Sequence, residues 1–370
     1  MSHNKELGMH YQALDIKHFR GFKDIRFKNF NRINIITGLN NIGKTALLEA
    51  LFIHAGATDY RLPLLMNNIR SMTQLPSEAE EIWGWFFYNK DFNQPIELIA
   101  KLQNGHQSKL QMALKPIERP WEFVPDSEVP KTGNFTATSP EQVMGIELII
   151  EDDHYELDRK RALIAPNGHI YGESKKTQLK TPDILMMTDK SGGISPDDIK
   201  RFGKITVQNR LAEIIEPLKI IEPRLKNLTV VVMGQEQIFA DIGLSTLIPL
   251  ALFGMGTNRL LTMILNIMSK PGGVVLIDEF GMGLHHSVLV KVWEAIFKAA
   301  QIAKVQLFLT THSKECIDAL IANKNLDVSQ ISGYGLVHSE DTIQANYFSG
   351  TELKELHDLI NFDLRGAGEP

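Results

Sequence analysis

The spacing of apolar and polar positions changes character along the chain. Over residues 13–36 the two alternate, which predicts two short strands around a turn, L-D-I-K-H-F and then R-G-F-K-D with I-R-F following. A third apolar stretch, residues 32–37, runs straight into a glycine. Residues 45–54 hold neither Gly nor Pro and are rich in strong helix formers, so a helix should open at Gly43-Lys44. Across residues 74–204, Pro, Asn, Ser and Asp separate short alternating segments at 97–102, 145–150 and 162–171, which predicts a β-rich insertion with loops. The stretches 125–140 and 191–198 are its candidate mobile loops. Helix-like patterns cover 197–219 and 243–268 and end in a P-G-G turn. The last third then alternates strand (274–277), helix (286–302), strand (305–310) and helix (314–323), with a final helix at 351–362. That alternation predicts an α/β fold with a parallel sheet covered by helices.

Composition narrows the class without deciding it. With 43% hydrophobic and 22% charged residues in 370, the chain should bury a sizeable core. Its longest apolar runs, 273–277 and 247–253, fall far short of the ~20 residues a membrane helix needs. Residues 1–10 are polar and lack the apolar centre of a secretory signal. The single cysteine, Cys316, leaves no internal disulfide and no multi-cysteine zinc site. These features predict a cytoplasmic protein with no membrane partner. The net charge of -5 offers no global attraction to nucleic acid, although a local basic face is compatible with it.

The glycine after the third strand begins G-L-N-N-I-G-K-T, residues 38–45, a complete G-x-x-x-x-G-K-[ST] set between strand and helix. Gly38 and Gly43 let the backbone wrap around phosphates and turn amides and a helix N-terminus toward them. Lys44 is expected to neutralise the β- and γ-phosphates and the Thr45 hydroxyl to ligate Mg2+. Asn40, Asn41 and Ile42 supply backbone donors, and Ala46 follows on the helix. Further on, G-G-V-V-L-I-D-E is a strand fit for burial on both faces that ends in two acids. Beside a phosphate loop, Asp278 is expected to hold the metal and Glu279 to polarise an attacking water. The next strand ends in T-T-H-S, which brings His312 to the same sheet edge if the strands are parallel neighbours.

Other groupings read as structural. His285 and His286 are adjacent residues expected to point apart, with no third ligand in view. The acidic run 147–158 reads as a hairpin with a solvated edge. The aromatic cluster 83–88 reads as core or partner contact, because few basic residues interleave it.

Together these motifs resemble the ABC-type ATPases of the SMC, RecF and OLD branch, most closely stand-alone AAA ATPases related to the OLD ATPase domain. The resemblance is carried by F-R-G-F-K-D (19–24), the phosphate loop, P-L-A-L-F-G-M-G-T-N-R-L-L (249–261), L-I-D-E-F-G-M-G-L-H-H (276–286) and T-T-H-S. It implies a P-loop ATPase head with a mixed or parallel central sheet, helices on both faces and a β-rich insertion. Residues 1–73 would carry Walker A, 74–204 the insertion, and 205–370 the signature, Walker B, D-loop and histidine switch. The family implies ATP as nucleotide and a homodimer or higher homo-oligomer sandwiching it. Gly254, Gly256 and Thr257 would then complete the γ-phosphate cage in trans. Met255 departs from the usual signature and no S-G-G is present, so a glycine-kinked helix start is the alternative there. Arg20 resembles the basic residue near the nucleotide, or is an exposed strand arginine. Neither heptad runs nor room for a Toprim nuclease after residue 362 is evident, so a nuclease or other effector is expected on a separate chain, with DNA a possible partner. The resemblance implies an ATP-driven dimerisation switch in DNA repair or anti-phage defence. The alternatives are a nucleotide sensor with little turnover and a transporter subunit.

Overall fold

The computed structural model describes residues 10–57, 59, 66, 79–118, 142–153, 155–164, 170–172, 181–188, 194–339, 342–360 and 363–366. The chain opens with β1 (Tyr11–Phe19), β2 (Phe22–Lys28), β3 (Ile33–Gly38), α1 (Lys44–Ala55) and the short α2 (Ala79–Trp83). Next come β4 (Ile96–Leu102), β5 (Gln107–Glu118), β6 (Gln142–Asp152), β7 (Tyr155–Ile164), β8 (Ile170–Gly172) and β9 (Ile184–Met187). Then follow α3 (Pro196–Val207), α4 (Leu211–Leu218), β10 (Asn227–Met233), β11 (Gln235–Asp241), β12 (Ile248–Pro249) and α5 (Met255–Met268). The chain continues through β13 (Val274–Ile277), α6 (Leu289–Ala303), β14 (Gln306–Thr310), α7 (Lys314–Ile321), β15 (Ile331–Ser339), β16 (Thr342–Ser349) and α8 (Gly350–Ile360).

The central sheet has the order β16-β15-β3-β14-β13-β9. Every neighbour pair in it is parallel except β15 with β16 at the edge. The apolar run of β13 splits by strand parity: Val274 and Leu276 face one core, Val275 and Ile277 the other. Phe308 and Leu307 on β14 divide in the same way. A strand buried on both faces needs a continuous apolar run, which is why the sequence pattern at 274–277 predicted it. On the first face lies α1, packed by Leu47, Leu48 and Leu51 between this sheet and a second, seven-stranded antiparallel sheet of order β2-β1-β4-β5-β6-β7-β8. The other face is covered by α5 and α6.

Strands from the expected insertion belong to both larger sheets. β4 pairs with β1, extending the N-terminal hairpin through β8, and β9 adds the edge strand beside β13. The period that predicted β structure there could not show its partners, which are set by long-range pairing. The pattern at 197–219 gives two helices, separated where Asn209 takes a left-handed φ of 58°. The helix expected from 243 starts only at Met255, because Pro249 and a left-handed Gly254 (φ 87°) interrupt the backbone before it. The loop expected at 191–198 instead starts α3 within the described residues. Ser195 caps that helix in a reciprocal box with Asp198, and Pro196 occupies its first turn. Residues 125–140 lie outside the described residues. The hairpins β10–β11 and β15–β16 carry no sequence prediction. Among the described residues, no helix is long and apolar enough to cross a membrane.

One buried polar clip joins α1 to the antiparallel sheet. The His54 ring lies 3.0 Å from the Tyr11 hydroxyl and 2.8 Å from the Ser108 hydroxyl. Burial lowers its pKa to about 4. Because the folded pKa lies below the ordinary histidine value, this clip contributes fully above pH 6.5 and is lost as pH falls toward 4, where the unfolded chain takes up the proton. The expected loss between pH 7 and pH 4 is about 3 kcal/mol, read as the extra pH dependence of urea unfolding in the native protein relative to His54→Gln. Equal pH dependence in the two proteins would refute the clip.

Candidate active site

The phosphate loop is shaped by what surrounds it. Gly38 has a φ of 144°, and a Cβ there would meet the Leu336 carbonyl oxygen at 2.6 Å. Gly43 has a φ of 100°, and a Cβ there would press into the Phe22 ring at 2.7 Å. Phe22 therefore backs the loop, which gives the F-R-G-F motif a packing role. Leu39, Asn40 and Asn41 are exposed and Ile42 is buried, so the loop is anchored by its one buried apolar residue. Ala46 is buried in the first turn of α1, and no side chain caps that helix. Its leading amides thus face the loop as an anion site. Lys44 is 5% exposed, and its Nζ donates to the carbonyls of Gly38 (3.0 Å) and Leu39 (2.9 Å). Burial lowers its pKa, while Glu279 and Asp278 act in the opposite direction.

The three strands that precede the motifs lie side by side and parallel. Leu309 is in register with Ile277 on one side and Ile35 on the other. The phosphate loop, the acids and the histidine therefore leave the same sheet edge. The Thr45 hydroxyl donates to Asp278, at 2.9 Å from Oδ2. The Thr310 hydroxyl also donates to Asp278, and its oxygen accepts the Glu279 amide at 2.8 Å. Burial raises the Asp278 pKa; the two hydroxyl hydrogen bonds oppose this, and the charges of Glu279 and Glu49 add to it. Glu279 adopts a left-handed φ of 53°, costly for a non-glycine residue, and its carbonyl accepts from Arg259 Nη2 at 3.2 Å. Its Oε2 lies 2.6 Å from His312 Nδ1.

Sequence reading gave Thr310 and Arg259 no role. Thr310 stood in the quoted T-T-H-S, but only the strand register shows that its hydroxyl ties the two acids together. Arg20 is not an exposed strand arginine. Its Nε donates to the buried Glu49 of α1 at 3.0 Å, and its guanidinium lies 4.3 Å from the Phe86 ring centre. Trp83, Phe86 and Phe87 are core, whereas Trp85 is half exposed beneath the Lys90 ammonium. Gly254 and Met255 are exposed at the uncapped start of α5, and no hydrogen bond joins residues 254–257 to Lys44, Thr45 or Asp278 among the described residues. The rings of His285 and His286 do not point apart; their centres are 4.1 Å apart, because the 3-10 turn at His286–Val288 folds them together. Among the described residues, no group of three His, Cys, Asp or Glu side chains is placed to hold a metal. The 147–158 segment is a hairpin, as expected, but Glu147 is buried and paired with Lys115, Arg159 and Arg161 rather than solvated.

A P-loop whose threonine meets a strand-end aspartate, next to a glutamate held by a histidine, is the arrangement of a nucleotide-hydrolysing site. Residues 145–318 match the family described as "AAA domain, putative AbiEii toxin, Type IV TA system". The chain is a P-loop ATPase, similar over that segment to this AAA domain family. This ATPase is 26% identical over 332 residues to an "ATP/GTP phosphatase" of Helicobacter pylori, covering 84% of this chain and 87% of that one. It is 25% identical over 229 residues to the "DNA replication and repair protein RecF" of Halothermothrix orenii, covering 58% of this chain and 55% of RecF. The chain thus spans about half of that RecF. Among solved structures it is similar to an Smc head domain with an extended coiled coil, bound to the C-terminal domain of ScpA, from Pyrococcus furiosus. That match has 12% identity and a TM-score of 0.47 over 95% of this chain and 100% of that one.

Proposed function

We propose that two copies of this ATPase clamp ATP between them and separate on hydrolysis, acting in the cytoplasm to control a separate effector chain. The observation that carries the reading is a division of parts. Thr45, Asp278, Thr310, Glu279 and His312 form one hydrogen-bonded chain at the phosphate loop. The glycine-rich helix start at Gly254, Gly256 and Thr257 makes no hydrogen bond to that chain among the described residues and is flanked by exposed Leu252 and Met255. A second copy bringing its helix start to the first copy's phosphate loop would complete the site and cover that apolar surface.

Within each site Lys44 would leave its two carbonyls for the nucleotide phosphates, Glu279 would accept a proton from water, and His312 would hold the carboxylate in place. The oxygen donors of Thr45 and Asp278, in direct contact beside the phosphate loop, fit Mg2+. When bound, Mg2+ would neutralise charge that develops on the phosphates. Arg20 would act from behind α1, through Glu49. The RecF relatives support a setting in DNA repair, with DNA as a further partner, and the family description supports a defence system.

Light scattering on Glu279→Gln protein with and without Mg-ATP tests the clamp. The expected result is a doubled mass with ATP, abolished by Thr257→Arg. A mass that ignores both ATP and Thr257→Arg would sink the proposal and leave a nucleotide sensor.

A further inference from the structure

We propose that the segment around Leu364–Gly366 is a latch for the catalytic edge, with Arg365 as the positioning residue for His312. This rests on the roles given above to His312 and Glu279.

The segment is seated by packing and aimed by charge. Leu364 is 1% exposed, in a small apolar cluster with Ile317, Ile321 and Leu353. It sits over Gly333 of β15, where a Cβ would come within 3.2 Å of Leu364 and 2.7 Å of Leu353. Asp363 orients the neighbouring guanidinium, with Arg365 Nε at 2.9 and 3.1 Å from its two oxygens. Arg365 Nη1 then donates to the backbone carbonyl of His312 at 3.2 Å.

That carbonyl has no helical partner. Ser313 is the N-cap of α7, and the first helical amide acceptor is the Ser313 carbonyl, so the His312 carbonyl lies outside the ladder. The other end of the same peptide is also tied, since the Ser313 amide donates to Thr311 Oγ1 at 3.2 Å. With both polar atoms of the 312–313 peptide engaged, its plane is set, and with it the direction in which His312 projects. This matters because the His312 side chain is 51% exposed and has little packing to orient it toward Glu279. Precise orientation of a group that contacts the reacting centre is where small displacements cost rate.

The test compares steady-state ATP turnover and melting temperature in full-length Arg365→Ala, Arg365→Lys, His312→Ala and the Arg365→Ala/His312→Ala double variant. Arg365→Ala is expected to lower kcat about tenfold with KM within about twofold, the signature of a misplaced catalytic group. Its melting temperature should stay within about 2 °C of wild type. Arg365→Lys, which keeps one donor, should recover part of the rate. The double variant should be no slower than His312→Ala, because the arginine acts through the histidine. Wild-type kcat in Arg365→Ala beside a slow His312→Ala would overturn the latch alone, as would losses that add fully in the double variant. Wild-type kcat in His312→Ala would instead overturn the reading of the site, and the latch with it.

Discussion

Glu279→Gln protein is expected to hydrolyse ATP about 10²- to 10⁴-fold more slowly than wild type, a loss of about 3–5 kcal/mol in transition-state stabilisation. The amide matches the carboxylate in size and can still accept from His312, but it cannot take a proton from water. The backbone is unaffected in kind: the left-handed φ of 53°, the amide bond to Thr310 and the carbonyl bond from Arg259 do not depend on the side chain's charge. Nucleotide binding should therefore persist while chemistry stops, which is what makes the variant a trap for the clamp. Phosphate release under single-turnover conditions measures it. A rate within an order of magnitude of wild type would show that Glu279 is not the base and that the strained backbone there has another cause.

Lys44→Met should lower kcat/KM by about 10³-fold or more, and unlike Glu279→Gln it should weaken nucleotide binding as well. Lys44 is held in a buried position by two backbone carbonyls, Gly38 and Leu39, and its pKa is depressed by burial. The charge is thus kept partly desolvated before any phosphate arrives, which strengthens its attraction for one. Methionine fills the same volume without that charge. The melting temperature should fall little, because the cost of burying the ammonium disappears together with its hydrogen bonds. Nucleotide affinity measured by calorimetry, beside turnover, checks both halves. Unchanged affinity would mean that the helix N-terminus and loop amides bind the phosphates without the lysine.

The strand–glycine–helix order at residues 33–55, the doubly buried strand 274–277 and the strand ending at Thr310 are legible because each is a local pattern. A strand covered on both faces must be apolar throughout, and the phosphate-loop pattern marks Gly38 and Gly43 by their spacing alone. Some elements depend on partners remote in sequence, and others on local backbone turns that the apolar pattern does not show. β4–β8 look like an insertion until β4 pairs with β1, and the helix expected from residue 243 shortens because Gly254 turns left-handed. The same division runs through the site. Residue types and spacing single out Lys44, Thr45, Asp278, Glu279 and His312 from the sequence alone, because phosphate and water chemistry restricts which side chains serve. Phe22 under the loop, Thr310 between the acids, Glu49 opposite Arg20 and Arg365 on the His312 carbonyl emerged only when strands and helices far apart in the chain were packed together. Hydrogen bonds and ring contacts act over a few ångströms, and the linear sequence does not encode those distances.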